Sequence, residues 1–70
     1  EVKPEWLQVI ELAFKQSLTD KAIAEQMHVG ERTVRYYWTR VQDALQVYPD
    51  TGINIRVQTY VRAREVGLLD

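Results

Sequence analysis

The sequence predicts an all-α domain, a compact arrangement of four short helices. Two observations carry that expectation. Apolar residues recur three and four positions apart in separate stretches of the chain, the spacing that lines one face of a helix. Between those stretches stand residues that cap or break helices: Thr19, Gly30, Asn54, Gly67 and the turn-rich run Tyr48-Pro49-Asp50-Thr51-Gly52. A chain of 70 residues is one domain at most, and its small core must be filled efficiently.

The first helix is expected from about Pro4 to Lys15. Proline suits a first turn, where its missing N–H has no partner to lose. Trp6, Leu7, Ile10, Ala13 and Phe14 form its apolar stripe. The second helix follows Ser17-Leu18-Thr19, with Thr19 as N-cap and Ile23, Ala24 and Met27 facing inward. It ends near Met27, because His28-Val29-Gly30 reads as a tight turn. Gly30 either takes a backbone conformation that other residues resist or caps the next helix.

The third helix, from about Glu31 to Gln46, carries the clearest pattern. Val34, Trp38, Val41 and Leu45 are spaced four, three and four and share one face. At roughly 100° per residue, Arg32, Arg35, Tyr36 and Thr39 fall on the opposite face, with Asp43 beyond them. Tyr37 and Arg40 lie along one flank. The fourth helix is expected from about Asn54 to Val66. Asn54 is its N-cap, Val57, Tyr60, Val61 and Leu68 face the core, and Gly67 sits just past its end.

Hydrophobic residues make up 46% of the chain and charged residues 27%, the balance of a soluble folded domain rather than a disordered one. There is no cysteine, so disulfides and thiolate metal ligands are excluded. No apolar run approaches membrane-spanning length and the start has no signal-peptide pattern, so the expected location is the cytoplasm, with no membrane partner. The opening Glu1 and the short length suggest a piece of a longer protein. The net charge of −1 and pI of about 5.8 argue against nucleic-acid binding. The distribution of charge answers that argument in part. Residues 1–31 hold three lysines against six acids, residues 32–70 hold six arginines against four acids, and every arginine follows Glu31. A local basic surface binds phosphate even on a near-neutral molecule, with modest and salt-dependent affinity.

From about Thr19 to Val47 the pattern is that of a helix-turn-helix: a short helix, a turn at Val29-Gly30, then a longer helix with a polar outer face. The major groove of DNA admits one α-helix, whose leading turns must carry donors for phosphates and base edges. The plainer reading is a helical hairpin with arginines for solubility. Arginines and tyrosines gathered on one exposed face favour DNA.

The segment Asp20-Lys21-Ala22-Ile23-Ala24-Glu25-Gln26-Met27, followed by Val29, Glu31-Arg32-Thr33-Val34-Arg35, Val41 and Leu45, resembles the LuxR-type (NarL/FixJ) helix-turn-helix domain. The ending, from Arg62 through Val66-Gly67-Leu68-Leu69, is similar to that family's closing helix and Gly-Leu-Leu tail. The resemblance spans nearly all of residues 1–70, with a scaffold helix at about 20–27, a recognition helix at about 31–46 and a closing helix at about 54–66. The sequence departs from the family where Ser17 replaces a glycine, Gly30 a serine and Tyr37 a histidine. Ala44-Leu45-Gln46-Val47 replaces Lys-Leu-Gly-Val, and the loop at 48–53 is roughly six residues longer than usual. The resemblance implies that Arg35, Tyr36 and Thr39 face base edges in the major groove. It implies that Lys21, Arg32, Thr33, Tyr37 and Arg40 hold phosphates. It further implies sequence-specific binding of double-stranded DNA by the output domain of a bacterial response regulator in a two-component system. The domain would act as a homodimer through the closing helix, under a separate regulatory domain, with RNA polymerase as a possible contact.

Other motifs carry less. Tyr36-Tyr37-Trp38 suggests base stacking, but helical geometry splits the three across faces and places Trp38 in the core. Trp6 reads as core too. His28, the only histidine, has no partners placed for a metal site or a general base and reads as a turn residue. Asp50-Thr51-Gly52 matches the aspartic-protease tripeptide but follows a proline between helices, which makes it a turn. No serine triad, P-loop or dinucleotide fingerprint is present, so the expectation is a non-enzyme with no catalytic residues, no metal and no cofactor. Two alternatives remain: a sigma-factor-like promoter-recognition domain, and a helical protein-interaction module using an apolar patch at Val57, Val61 and Leu68.

Overall fold

The computed structural model describes residues 2–48 and 54–69; the turn-rich run at 49–53 lies outside the described residues. Four helices follow in order: α1 (Pro4–Lys15), α2 (Asp20–Met27), α3 (Glu31–Ala44) and α4 (Ile55–Glu65). The described chain is all-α, with principal dimensions of 30 × 25 × 21 Å.

Local chemistry sets each helix start. Pro4 opens α1 after an extended Lys3. At α2 the Thr19 hydroxyl accepts a hydrogen bond from the Ala22 N–H at 3.2 Å. At α4 the Asn54 side-chain oxygen accepts from the N–H groups of Arg56 and Val57 at 2.9 and 3.3 Å. Gly30 is the N-cap of α3 in an ordinary extended conformation (φ −80°, ψ 160°), so of the two roles open to it the structure assigns the cap. It has no side chain with which to cap.

The helix ends share one device. Ser17, His28, Gln46 and Gly67 all have left-handed φ, between 55° and 83°. After α2, Val29 N–H reaches the Ala24 carbonyl (3.0 Å) and His28 N–H the Glu25 carbonyl (3.3 Å). The same pair of bonds closes α3 and α4, a Schellman arrangement that satisfies carbonyls otherwise left open. This device stops α3 at Ala44 rather than at the expected Gln46: Gln46 turns left-handed and Val47 N–H folds back to the Gln42 carbonyl at 2.9 Å.

The core joins Trp6, Val9, Ile10 and Leu12 of α1 to Ile23 and Ala24 of α2 and to Val34, Trp38 and Val41 of α3. Leu45, Val47, Ala63 and Leu69 complete it. The α1 stripe is thus wider than its expected members: Val9 and Leu12 are buried, while Leu7, Ala13 and Phe14 pack partly buried around them. The Phe14 ring meets Trp38 edge-on at 5.6 Å and Tyr60 at 5.0 Å, tying α1 to α3 and α4.

The rotation of α4 about its axis corrects the sequence reading. Val57 and Val61, expected in the core, are 56% and 49% exposed, while Thr59 and Ala63 are fully buried. Tyr60 and Leu68 pack partly buried against the core, as expected. The reason is steric and polar together. Thr59 and Ala63, small residues four apart, are the ones turned to the core, and the Thr59 hydroxyl is satisfied in place by donating to the Ile55 carbonyl at 2.7 Å. Among the described residues no buried side-chain N or O lacks a partner, and no helix is long and apolar enough to cross a membrane.

Candidate nucleic-acid interface

α2 and α3 are joined by the three-residue turn His28-Val29-Gly30, and α3 buries one stripe and exposes the other. The buried stripe is Val34, Trp38, Val41 and the following Leu45, as its spacing predicts. On the outside Arg32, Arg35, Tyr36 and Thr39 are all exposed, Tyr36 at 55%. The Thr39 hydroxyl donates to the Arg35 carbonyl one turn back at 3.1 Å. Two guanidinium groups and a phenol therefore stand on one helical face as donors suited to phosphates and base edges, beside a Thr39 hydroxyl whose oxygen is left to accept.

The other expected site residues are placed less uniformly. Lys21 is exposed in the first turn of α2. Thr33 is half-buried, its backbone N–H bonded to the Gly30 carbonyl at 3.0 Å. Tyr37 packs partly buried against the core, its ring tilted 51° to that of Tyr36 at 6.1 Å. Arg40 is exposed, but its guanidinium lies over the Trp6 ring at 5.2 Å, on the α1 side of the helix. The structure thus brings Arg32, Arg35, Tyr36 and Thr39 onto one face and leaves Tyr37 and Arg40 on a flank. Trp38 is buried on the opposite side from Tyr36, which separates the aromatic trio as helical geometry requires.

A second cluster lies where α2, α3 and α4 meet, and the sequence reading did not single it out. Arg56, in the first turn of α4, grips Asp20, in the first turn of α2. Its two terminal nitrogens donate to the two carboxylate oxygens at 2.9 and 2.8 Å. Trp38 Nε1 donates to the same carboxylate at 3.2 Å, and the Arg56 guanidinium stacks over the Trp38 ring at 4.3 Å. The Arg56 hydrogen bond holds the Asp20 carboxyl below the usual carboxylate range, against the opposing effect of partial burial. Arg56 and Asp20 are 36 positions apart, so no local periodicity announces the pair. One signal was available: a cation in a first helical turn faces the positive end of the helix dipole and calls for an anionic partner.

Among the described residues no group of three or more His, Cys, Asp or Glu side chains is arranged to hold a metal ion. No family model, curated protein or solved structure matches the chain.

Proposed function

We propose that this domain binds double-stranded DNA in a sequence-dependent way through α3, as the LuxR-type output domain of a bacterial transcription regulator in the cytoplasm, without catalytic activity. The observation that carries the reading is the exposed stripe of Arg32, Arg35, Tyr36 and Thr39 on the longer helix of a helix-turn-helix whose opposite stripe is wholly committed to the core. Arg35, Tyr36 and Thr39 are assigned to base edges, and Lys21, Arg32 and Thr33 to phosphates. Tyr37 and Arg40 are assigned to phosphates at the flank, where packing on Trp6 orients the Arg40 guanidinium. Val57 and Val61, exposed one turn apart on α4, supply the surface through which two copies pair on paired half-sites.

The test is fluorescence anisotropy of a labelled random-sequence duplex at low and moderate salt, followed by selection of the preferred site. Binding that falls steeply with salt is expected. Absence of binding at low salt by the folded domain would defeat the reading. On the selected site, Arg35→Ala is expected to cost about 1–3 kcal/mol and to relax preference at one base pair. Arg40→Ala should weaken all sequences alike and lower the salt slope by about one. Normal site binding by Arg35→Ala would remove Arg35 from the base-reading set.

A second reading is favoured by one observation: Val57 and Val61 stand about half exposed one turn apart on α4, while Leu68, the third residue of the expected patch, packs against the core. In that reading the domain is a protein-interaction module. Partner binding that is indifferent to loss of the α3 arginines, together with no affinity for duplex, would select it.

A further inference from the structure

The Asp20 carboxylate stands at the boundary between the structural cluster and the α3 outer stripe. It bonds Trp38, and Arg35 lies one turn before Trp38 on the same helix, roughly 60° around its axis. Arg35 is near enough for its charge to act on Asp20, yet it makes no hydrogen bond to it. Arg56 already spans both carboxylate oxygens, donating to each, and Trp38 shares one of them, so the two-pronged edge of the carboxylate is taken and its charge is matched. A carboxylate whose two-oxygen edge and charge were unmatched beside an exposed arginine would capture it, because the bidentate arginine–carboxylate pair is among the strongest side-chain contacts available.

Building on the DNA-binding reading, we propose that Arg56 is a positioning residue for that site: by occupying Asp20 from α4, it keeps Arg35 free to reach DNA. Arg56 itself touches no nucleic acid in this scheme. Its stacking on Trp38 and its place in the Asn54-capped first turn of α4 hold the guanidinium over Asp20. The closing helix is thereby wired to the recognition stripe through one carboxylate.

The experiment compares duplex binding by the wild-type domain and by Arg56→Gln, Asp20→Asn/Arg56→Gln and Glu25→Gln/Arg56→Gln, on the selected site, with each variant's helicity and melting recorded in the same buffer. Arg56→Gln is expected to lose roughly tenfold in affinity, the scale of one base-reading arginine. Adding Asp20→Asn should restore binding to near the wild-type value, since an amide cannot hold Arg35 by charge. Glu25 is exposed elsewhere on α2, so Glu25→Gln restores the same net charge without emptying the trap. It should leave the defect in place. Adding Arg35→Ala to Arg56→Gln should cause little further loss, because Arg35 is already withdrawn. An Arg56→Gln domain that binds normally overturns the proposal. So does equal weakness with and without Asp20→Asn in folded variants, which would make Arg56 a structural pin or a direct contact. Equal rescue by Glu25→Gln overturns it as well, reducing the effect to net charge. A wild-type domain that binds no duplex instead overturns the DNA-binding reading on which the proposal stands.

Discussion

α3 and α4 are both exposed on one side and buried on the other, yet they are built by opposite rules. α3 buries large apolar side chains (Val34, Trp38, Val41) and exposes polar ones. α4 buries Thr59 and Ala63 and exposes Val57 and Val61. The first helix is held by volume. The second turns small residues inward and is held by polar contacts at its start, the Asn54 cap and the Arg56–Asp20 pair, and by Tyr60 against Phe14. An apolar stripe in the sequence therefore reports the core only where the helix is held by volume. On a helix that docks through small residues, the larger apolar side chains are left for solvent or a partner.

The contrast yields predictions of graded size. Trp38→Ala should be the most damaging change, about 3–5 kcal/mol. It removes a core ring, the Phe14 contact, the hydrogen bond to Asp20 and the surface beneath Arg56. For a domain this small that loss rivals the whole stability, and thermal unfolding should show a domain largely unfolded at room temperature. On α4 the expected order is reversed from side-chain size. Ala63→Leu should destabilise by about 1–3 kcal/mol through overpacking, whereas Val61→Ala should change the denaturant midpoint by less than about 0.5 kcal/mol equivalent. If Val61→Ala proved the more harmful, α4 would be rotated from the position described.

Acid should loosen α4 before it loosens α3. The folded Asp20 carboxyl is held below its ordinary range by Arg56, so the stability it contributes is fully present above the unfolded carboxylate pKa and is lost as pH falls through the lower folded value. Denaturant midpoints of the wild type should therefore fall more steeply below about pH 4 than those of Asp20→Asn. Parallel curves would show that the pair contributes nothing.

The helix starts give the smallest effects. Asn54→Ala removes two accepted hydrogen bonds and should cost about 1 kcal/mol, while Gly30→Ser adds a cap that α3 lacks and should gain a few tenths. A β-carbon at Gly30 would meet nothing within 4 Å, so no clash opposes the gain.

Most of the fold was legible because its signals are local. Thr19 and Asn54 mark helix starts through bonds to residues two and three positions on, and the α3 stripe repeats within a single helix. The outer stripe of the candidate interface was legible as the complement of that core stripe. What escaped depends on contacts between distant parts of the chain. The phase of α4 is decided by which side chains fit between helices, and a buried threonine looks polar until its hydroxyl is seen bonded to Ile55. The Asp20–Trp38–Arg56 cluster joins three helices and has no period to detect. The end of α3 was misplaced by two residues because Gln46 gives no compositional hint of a left-handed turn.

That device at the helix ends has a consequence for how the chain reaches its structure. Each of α2, α3 and α4 is closed by bonds spanning only a few residues, so where it ends is set locally rather than by the helix it packs on. Local contacts of this kind keep the entropy of loop closure small, and helical domains rich in them fold in microseconds to milliseconds. The grip of Arg56 on Asp20 is the longest-range polar contact described and closes the largest loop, so its removal is expected to speed unfolding while leaving the folding rate nearly unchanged, which stopped-flow kinetics of Arg56→Gln would check.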